Sequence, residues 1–258
     1  MAIRFTRANS EYLNTTSGTM TLPGNDAKWS AVMQVKTPSS FTASTVQMLL
    51  GFITTPGALD VIIGITVSGG GAATWYYGDS NAGFIDSGVS VSTSTLYRVG
   101  FTYDSTDTNN EYRLWVDDSN VSTGADGTTQ AFSDAYVGRW SSNSHHFDGL
   151  IEGLKVWDSV RLTSDEIVAE GKTNAPRRLS GLIWWLPLIT KSDGTEPDLR
   201  DRIQNASWTS FNTPTSESGP VQRFGPRKKL HYVGGGTPPS AVTFFGGIGA
   251  GVVGRLTA

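Results

Sequence analysis

From Ile3 to Trp157 the chain places apolar residues on alternate positions, in short runs broken by Gly, Pro, Asn, Asp and Ser. Alternation at period two lines apolar side chains along one face of an extended segment, so a chain that repeats it buries them as strands and not as helices. The runs are WSAVMQVKTP (29–38), TVQMLLGFIT (45–54), LDVIIGITVSG (59–69), ATWYYGD (73–79), GFIDSG (83–88), TLYRVGFTYD (95–104), NEYRLWVDD (110–118), AYVGRW (135–140) and GLIEGLKVW (149–157). Residues 73–79 and 83–88 are spaced as one hairpin, and 95–104 and 110–118 as another across STDTNN. Ile3, Phe5, Tyr12 and Leu13 suggest an opening hairpin around Arg7–Ser10. Runs 45–54 and 59–69 are apolar almost throughout, as expected of strands covered on both sides. About ten short strands without long helices predict an all-β sandwich of two antiparallel sheets, in which both apolar faces find cover.

The pattern changes within FDGLIEGLKVWDSVRLTSDEIVAEG, residues 147–171. It opens as a strand in which Gly153 marks a bulge. It ends as one short helix over 163–170. Thr163 or Ser164 caps that helix, Thr163 and Glu166 have capping-box spacing, and Asp165 and Glu166 place negative charge in its first turn. Gly171 is positioned to supply a left-handed C-cap. A helix this short is marginal alone, so Ile167 and Val168 must pack on the sandwich.

Several function classes are closed by composition. The chain has no cysteine, which removes disulfides, thiol catalysis and thiolate metal sites. Charged residues make up 17% and the net charge is −3, so no basic field exists to capture nucleic acid or an acidic membrane. MAIRFTRANSEYLN carries charges and lacks a long apolar run, which predicts synthesis in a cytoplasm without a secretory signal. The sequons at Asn14, Asn120 and Asn205 carry no weight on that expectation.

Four stretches, in order, resemble the laminin-G-like or concanavalin-A-like jelly-roll modules. Phe147, Gly149, Ile151, Glu152, Leu154, Val156, Trp157, Leu162, Ser164, Glu166 and Ile167 follow the family's closing phrase F-x-G-x-I-D-E-V-x-I-Y-x-x-x-L-T/S-x-x-E-I. IRFTRANSEYLNT resembles its opening F-x-G-x-x-D-Y-V, WSAVMQVKTP its strand F-T-I-S-A-W-V-K, and LYRVGFTYDSTDTNNEYRLWVDDSNVSTG its W-x-H-V-A-x-T-Y-D … x-L-Y-V-D-G. The resemblance covers roughly residues 3–172 and implies a concanavalin-A-like jelly roll whose terminal helix is a family feature.

Some jelly rolls hydrolyse glycosides, which needs two carboxylates facing across a cleft. Glu152 has only Leu150 and Leu154 as its same-face neighbours, and the adjacent Asp117 and Asp118 point to opposite faces if their strand stays regular. The expectation is therefore no enzyme. His145 and His146 diverge as neighbours on a strand, and with His231 elsewhere they read as a polar hairpin tip and not a metal site. Calcium is the one cofactor that the resemblance implies, at the sandwich rim, with Glu152 at the family position and Asn9 and Glu11 as distant candidates. The chain departs there, with Glu for the usual Asp and Gly153 for the usual Glu. The oxygen-rich DDSNVSTGADG (117–127) lacks calcium-loop spacing and reads as a solvated turn. Among the aromatics, Trp115 faces out or into a groove by phase, opposite Leu114 and Val116, and Trp140 precedes a Ser/Asn loop. These two are the candidate platforms for sugar rings or for a partner subunit.

The expected organisation is a sandwich over 1–172, a strand-and-loop extension packed on it over 173–212, and a linker with a terminal arm over 213–258. LIWWLPL and PDLRDRIQNASW in the extension echo a phrase that opens new family modules, but too little chain remains for a second sandwich. The buried residues expected there are Ile183, Trp185 or Leu186. SGPVQRFGPRKKLHYVGGGTPPS is turn-rich and basic, and AVTFFGGIGAGVVGRLTA is apolar, too glycine-rich for a membrane helix, and an aggregation hazard if left free. Phe244, Phe245, Ile248, Val252 and Val253 are thus expected to bury against other subunits. The layout resembles virion structural proteins of tailed phages. It implies a non-enzymatic capsid decoration or tail-associated protein, a homo-oligomer with a trimer first, seated on a viral shell or tail protein. The alternatives are a carbohydrate-binding adhesion module and, behind it, a glycoside hydrolase.

Overall fold

The alternating runs form strands β1 (Ala2–Phe5), β2 (Tyr12–Thr16), β3 (Lys28–Lys36), β4 (Thr45–Ile53), β5 (Val61–Val67), β6 (Ala73–Asp79), β7 (Gly83–Ser90), β8 (Leu96–Asp104), β9 (Tyr112–Val116), β10 (Ser119–Gly124), β11 (Asp134–Val137) and β12 (Gly149–Asp158). Helix α1 (Ser164–Gly171) follows, then β13 (Leu182–Leu186), β14 (Ile189–Thr190), β15 (Pro197–Asp198), β16 (Thr209–Phe211) and β17 (Thr215–Glu217). The structure is a computed structural model that describes residues 2–23, 28–54, 61–79, 83–125, 132–140, 145–190, 197–212 and 214–217. All lie in one compact unit, Met1–Arg223. The arm residues Phe244, Phe245, Ile248, Val252 and Val253 lie outside the described residues.

Two antiparallel sheets face each other, as the alternation requires. The eight-stranded sheet runs β10-β9-β8-β3-β12-β1-β17, with β13 also paired to β12, and the seven-stranded sheet runs β16-β2-β11-β4-β5-β6-β7. The first two strands meet the last two described strands there: β1 pairs with β12 and β17, while β2 pairs with β11 and β16. Hence β1 and β2 do not make the expected opening hairpin. A single 3-10 turn, Arg7–Asn9, ends in a left-handed Ser10 and carries the chain from one sheet to the other. Between the sheets, Trp29 packs its ring 5.2 Å from Phe52 and 5.1 Å from Phe101, and Trp184 lies 5.5 Å from Phe52.

The outer face of the eight-stranded sheet is covered by α1. The Thr163 hydroxyl accepts from the Glu166 amide at 3.4 Å while the Glu166 carboxylate accepts from the Thr163 amide at 2.9 Å, the reciprocal capping box the spacing predicts. Ile167 then buries with Val32, Trp115, Trp157, Leu162 and Leu182. At the other end, Gly171 does not adopt the left-handed cap. It is the last helical residue, and Lys172 caps in a right-handed conformation. Side chains serve the orphan carbonyls instead: Lys155 Nζ donates to the Glu170 carbonyl at 2.6 Å and the Thr173 carbonyl at 2.7 Å, and Gln34 Nε2 donates to the Gly171 carbonyl at 2.9 Å. Lys155 Nζ also lies 3.0 Å from the Glu170 carboxylate, and both side chains are buried.

Gly153 has φ +62 and the β12–β3 register shifts between Glu152 and Lys155, so the expected bulge is present. Asp117 and Asp118 do not point to opposite faces. Both have positive φ and form the two-residue turn between β9 and β10, and both reach Arg98, at 3.6 and 3.3 Å. In the extension, Leu182, Trp184 and Leu186 are buried, while Ile183 and Trp185 are half-buried.

Candidate functional site

The seven-stranded sheet has an outer face that no helix among the described residues covers. Register defines its rows. In one, Met48 of β4 pairs with Gly64 of β5, Gly64 with Tyr76 of β6, and Tyr76 with Asp86 of β7. In the next, Asn14 of β2 pairs with Tyr136 of β11, Tyr136 with Gly51, Gly51 with Ile62, and Ile62 with Gly78. Met48, Ile53 and Ile62 are buried beneath the half-buried rings of Tyr76, Tyr136 and Trp140. These three apolar residues explain why runs 45–54 and 59–69 lack a clean alternation. Gly64 keeps the floor low, since a Cβ there would stand 2.6 Å from the Gln47 carbonyl at the β4 bulge.

One margin of this face is built by residues 138–140 and 145–148. Gly138 donates to the Leu49 carbonyl and Met48 to the His145 carbonyl, both at 3.0 Å, so both pieces lie against β4. Arg139 lies 3.9 Å over the Tyr12 ring and 5.6 Å over Tyr136, and Phe211 of β16 stacks on Tyr12 at 4.3 Å. The Trp140 and His145 rings are 4.7 Å apart. Where this margin meets the 3-10 turn, a pocket of about 240 Å³ opens between Arg7, Ser44, Thr45, Val46, Thr66, Val67 and His145.

The electrostatics of the face follow from burial. Burial first, then the Asp86 carboxylate, pushes the Tyr76 hydroxyl up to about 12, so it stays a neutral donor and acceptor at physiological pH. Burial and Arg7 push His145 below the usual imidazole value, and burial, Arg139, Arg7 and His145 do so for His146. The histidine pair is thus not a solvated hairpin tip, because His146 is 5% exposed.

Trp115 faces away from the inter-sheet core, as its phase predicts, but α1 covers it to 8% exposure and it offers no platform to a ligand. Sequence phase finds the face of a strand and not what lies on it. Trp140 packs half-buried against Met48, Ile53 and Ile62 on the outer face of the seven-stranded sheet and keeps its candidacy. Glu11 accepts from the Thr6 amide at 2.6 Å and from Asn9 Nδ2 at 3.0 Å, so the Asn9–Glu11 pair ties down the 3-10 turn. Glu152 belongs to the other sheet, where it is 5% exposed, accepts from Asn174 Nδ2 at 3.2 Å, and is pushed up by burial. No group of three or more His, Asp or Glu side chains able to hold a metal ion gathers among the described residues. Asn9, Glu11 and Glu152, the expected calcium ligands, each have a protein partner where they stand. Tyr136 and Arg7 escaped the sequence reading, while Tyr76, one of the aromatics able to stack on a sugar ring, was set aside there as core. The phase of both tyrosines was legible, since Tyr76 alternates with Trp75 and Tyr77, and Tyr136 with Ala135 and Val137.

The chain is similar to known proteins mainly through this sandwich. A protein from Bacteroides ovatus described as a candidate carbohydrate binder superposes with a TM-score of 0.56 at 14% identity, over 83% of this chain and 61% of its own length. A heptameric SAP-like pentraxin from Limulus polyphemus superposes at 0.55 with 13% identity, over 83% of this chain and 94% of its own. These likenesses are of fold, and this chain spans less than two thirds of the Bacteroides protein. No curated protein sequence is a match. The family model of the concanavalin A-like lectin/glucanases superfamily matches residues 7–168, more than half of the chain, and the protein belongs to that superfamily.

Proposed function

We propose that this protein binds carbohydrate on the outer face of its seven-stranded sheet, without cleaving it. The observation that carries the reading is the set of half-buried rings, Tyr76, Tyr136 and Trp140, standing over the apolar floor of Met48, Ile53 and Ile62. Sugars present apolar C–H faces that pack on aromatic rings, and their hydroxyls find donors and acceptors in Asn14, Thr66, Tyr76 and Asp86 around them. The Bacteroides ovatus neighbour and the superfamily support the assignment. The reading is non-enzymatic because Glu152, the carboxylate that the strand pattern singled out, lies in the other sheet with Asn174 as its partner. Affinity electrophoresis in gels cast with a panel of soluble polysaccharides tests it. Retardation by at least one of them, lost in Tyr76→Ala and Tyr136→Ala, is expected; retardation unaltered in both variants would sink the site, and reducing ends released from the panel would sink the non-enzymatic part.

A second reading rests on the apolar sequence AVTFFGGIGAGVVGRLTA at 241–258. Such a segment needs cover, and a virion structural protein of the decoration or tail-associated kind gives it cover in a homo-oligomer on a viral shell. The two readings are compatible, because a particle component can also hold sugars.

A further inference from the structure

Arg7 stands on the turn that carries the chain between the sheets, and its Nη1 is shut off from solvent without a hydrogen-bond acceptor. Among the described residues nothing pairs with its guanidinium. Beside it, His146 is 5% exposed and its Nε2 has no hydrogen-bond partner. The side-chain charges acting on the two imidazoles are all positive: Arg7 on both, Arg139 on His146. A half-buried cation to which the described residues supply no counterion is unfavourable, and an arginine fork answers it best with a planar or tetrahedral oxyanion held by two N–H donors. The pocket adds the hydroxyls of Ser44 and Thr66 as further donors, that of Thr45 being given to the Thr42 carbonyl at 2.6 Å, and its volume of about 240 Å³ suits a substituent and not a whole oligosaccharide.

The pocket is continuous with the aromatic face. Thr66 stands two residues along β5 from Gly64, the partner of Tyr76, and the His145 ring is 4.7 Å from Trp140. We infer that the pocket receives the anionic substituent of an acidic sugar, a carboxylate or a sulfate ester, while the ring of that sugar or its neighbour lies on Tyr136 and Trp140. The inference rests on the glycan-binding reading and names the ligand class for it.

The chain has three histidines, so imidazole resonances report on the pocket directly. The full chain is titrated with glucuronate, glucose 6-sulfate and glucose, at constant ionic strength in sodium chloride. Saturable shifts of the His145 and His146 signals are expected with one or both acidic sugars and not with glucose, and whichever acid saturates identifies the substituent. Arg7→Gln is expected to weaken that response about tenfold or more, as loss of a charged hydrogen bond does, with Arg7→Lys in between. Equal shifts from glucose overturn the anionic class, and acid-induced shifts unchanged in Arg7→Gln overturn the role of Arg7. Silence with all three sugars, beside retardation in a neutral polysaccharide gel, overturns the pocket and leaves the glycan reading standing. Saturation by an acid without retardation in any gel does the reverse.

Discussion

Ile167 fills the space that a side chain on Gly100 would need. A Cβ there would meet Ile167 Cγ2 at 2.8 Å, with Trp115 Cβ, on the paired strand, at 3.3 Å. The helix is therefore keyed into the sheet at one glycine. Gly100→Ala overpacks this contact and is expected to lower stability by about 1–3 kcal/mol. Ile167→Asp, which puts a charge against Trp115 and Trp157, is expected to cost about 3 kcal/mol or more. Thermal unfolding followed by circular dichroism reads both. An unchanged melting temperature for Ile167→Asp would refute the packing of α1.

Lys155 and Glu170 are a buried pair with different duties. Glu170 Oε1 accepts from the Arg177 and Arg178 amides at 2.8 and 2.7 Å, while Lys155 serves the Glu170 carbonyl in the last turn of α1 and the Thr173 carbonyl beyond it. Lys155→Met strands a carboxylate and two carbonyls and is expected to lose about 3–5 kcal/mol in urea denaturation. Glu170→Gln in the Lys155→Met background should cost less than it does alone, because the stranded charge is gone. Equal costs in both backgrounds would mean that the two side chains do not interact.

Stability should fall with acid through the histidine pair. Their folded values lie below the ordinary 6.5, so the unfolded chain takes up protons first. The stability these groups contribute is complete above about 6.5 and is lost as pH falls from there toward the folded values. Glu152 and Asp201, pushed up by burial, act with the opposite sign, contributing most at low pH and losing it as pH rises. The difference between the native protein and a His145→Gln, His146→Gln variant isolates the imidazole share. Calorimetric melting between pH 7 and 5 should show a shallower decline for the variant, and parallel curves would contradict it.

Trp115 separates stability from binding. Trp115→Phe is expected to cost about 1–3 kcal/mol of stability and to leave polysaccharide retardation of the folded protein unchanged. Tyr136→Ala, on the other sheet, should lose retardation with a smaller loss of stability. The opposite pattern would move the binding face beneath the helix.

For the terminal arm, light scattering of the full chain beside a chain ending at Gly236 is the direct measurement. A defined oligomer that becomes a monomer on truncation supports the assembly reading. Two monomers would remove it and leave glycan binding alone.

Much of this architecture is legible in the alternation itself. The hairpins at 73–88 and 95–118 and the capping box at Thr163–Glu166 pair as written, because each is decided by residues close in sequence. What escaped was decided by distant partners. The opening residues look like a hairpin, but β1 is held by β12 and β17 and β2 by β11 and β16. Trp115 shows the right face and the wrong exposure, since a helix some fifty residues later lies on it. Arg7 and His146 draw their meaning from each other and from Arg139, and no local pattern predicts such a meeting.

The pairing of first strands with last gives the chain an order of events. Until residues 209–217 leave the ribosome, β1 lacks β17 along one edge and β2 lacks β16, so each sheet presents unpaired backbone. A nascent chain of this protein thus keeps β1 and β2 open to strand exchange with its neighbours until β17 and β16 take those places and become the outer strands themselves.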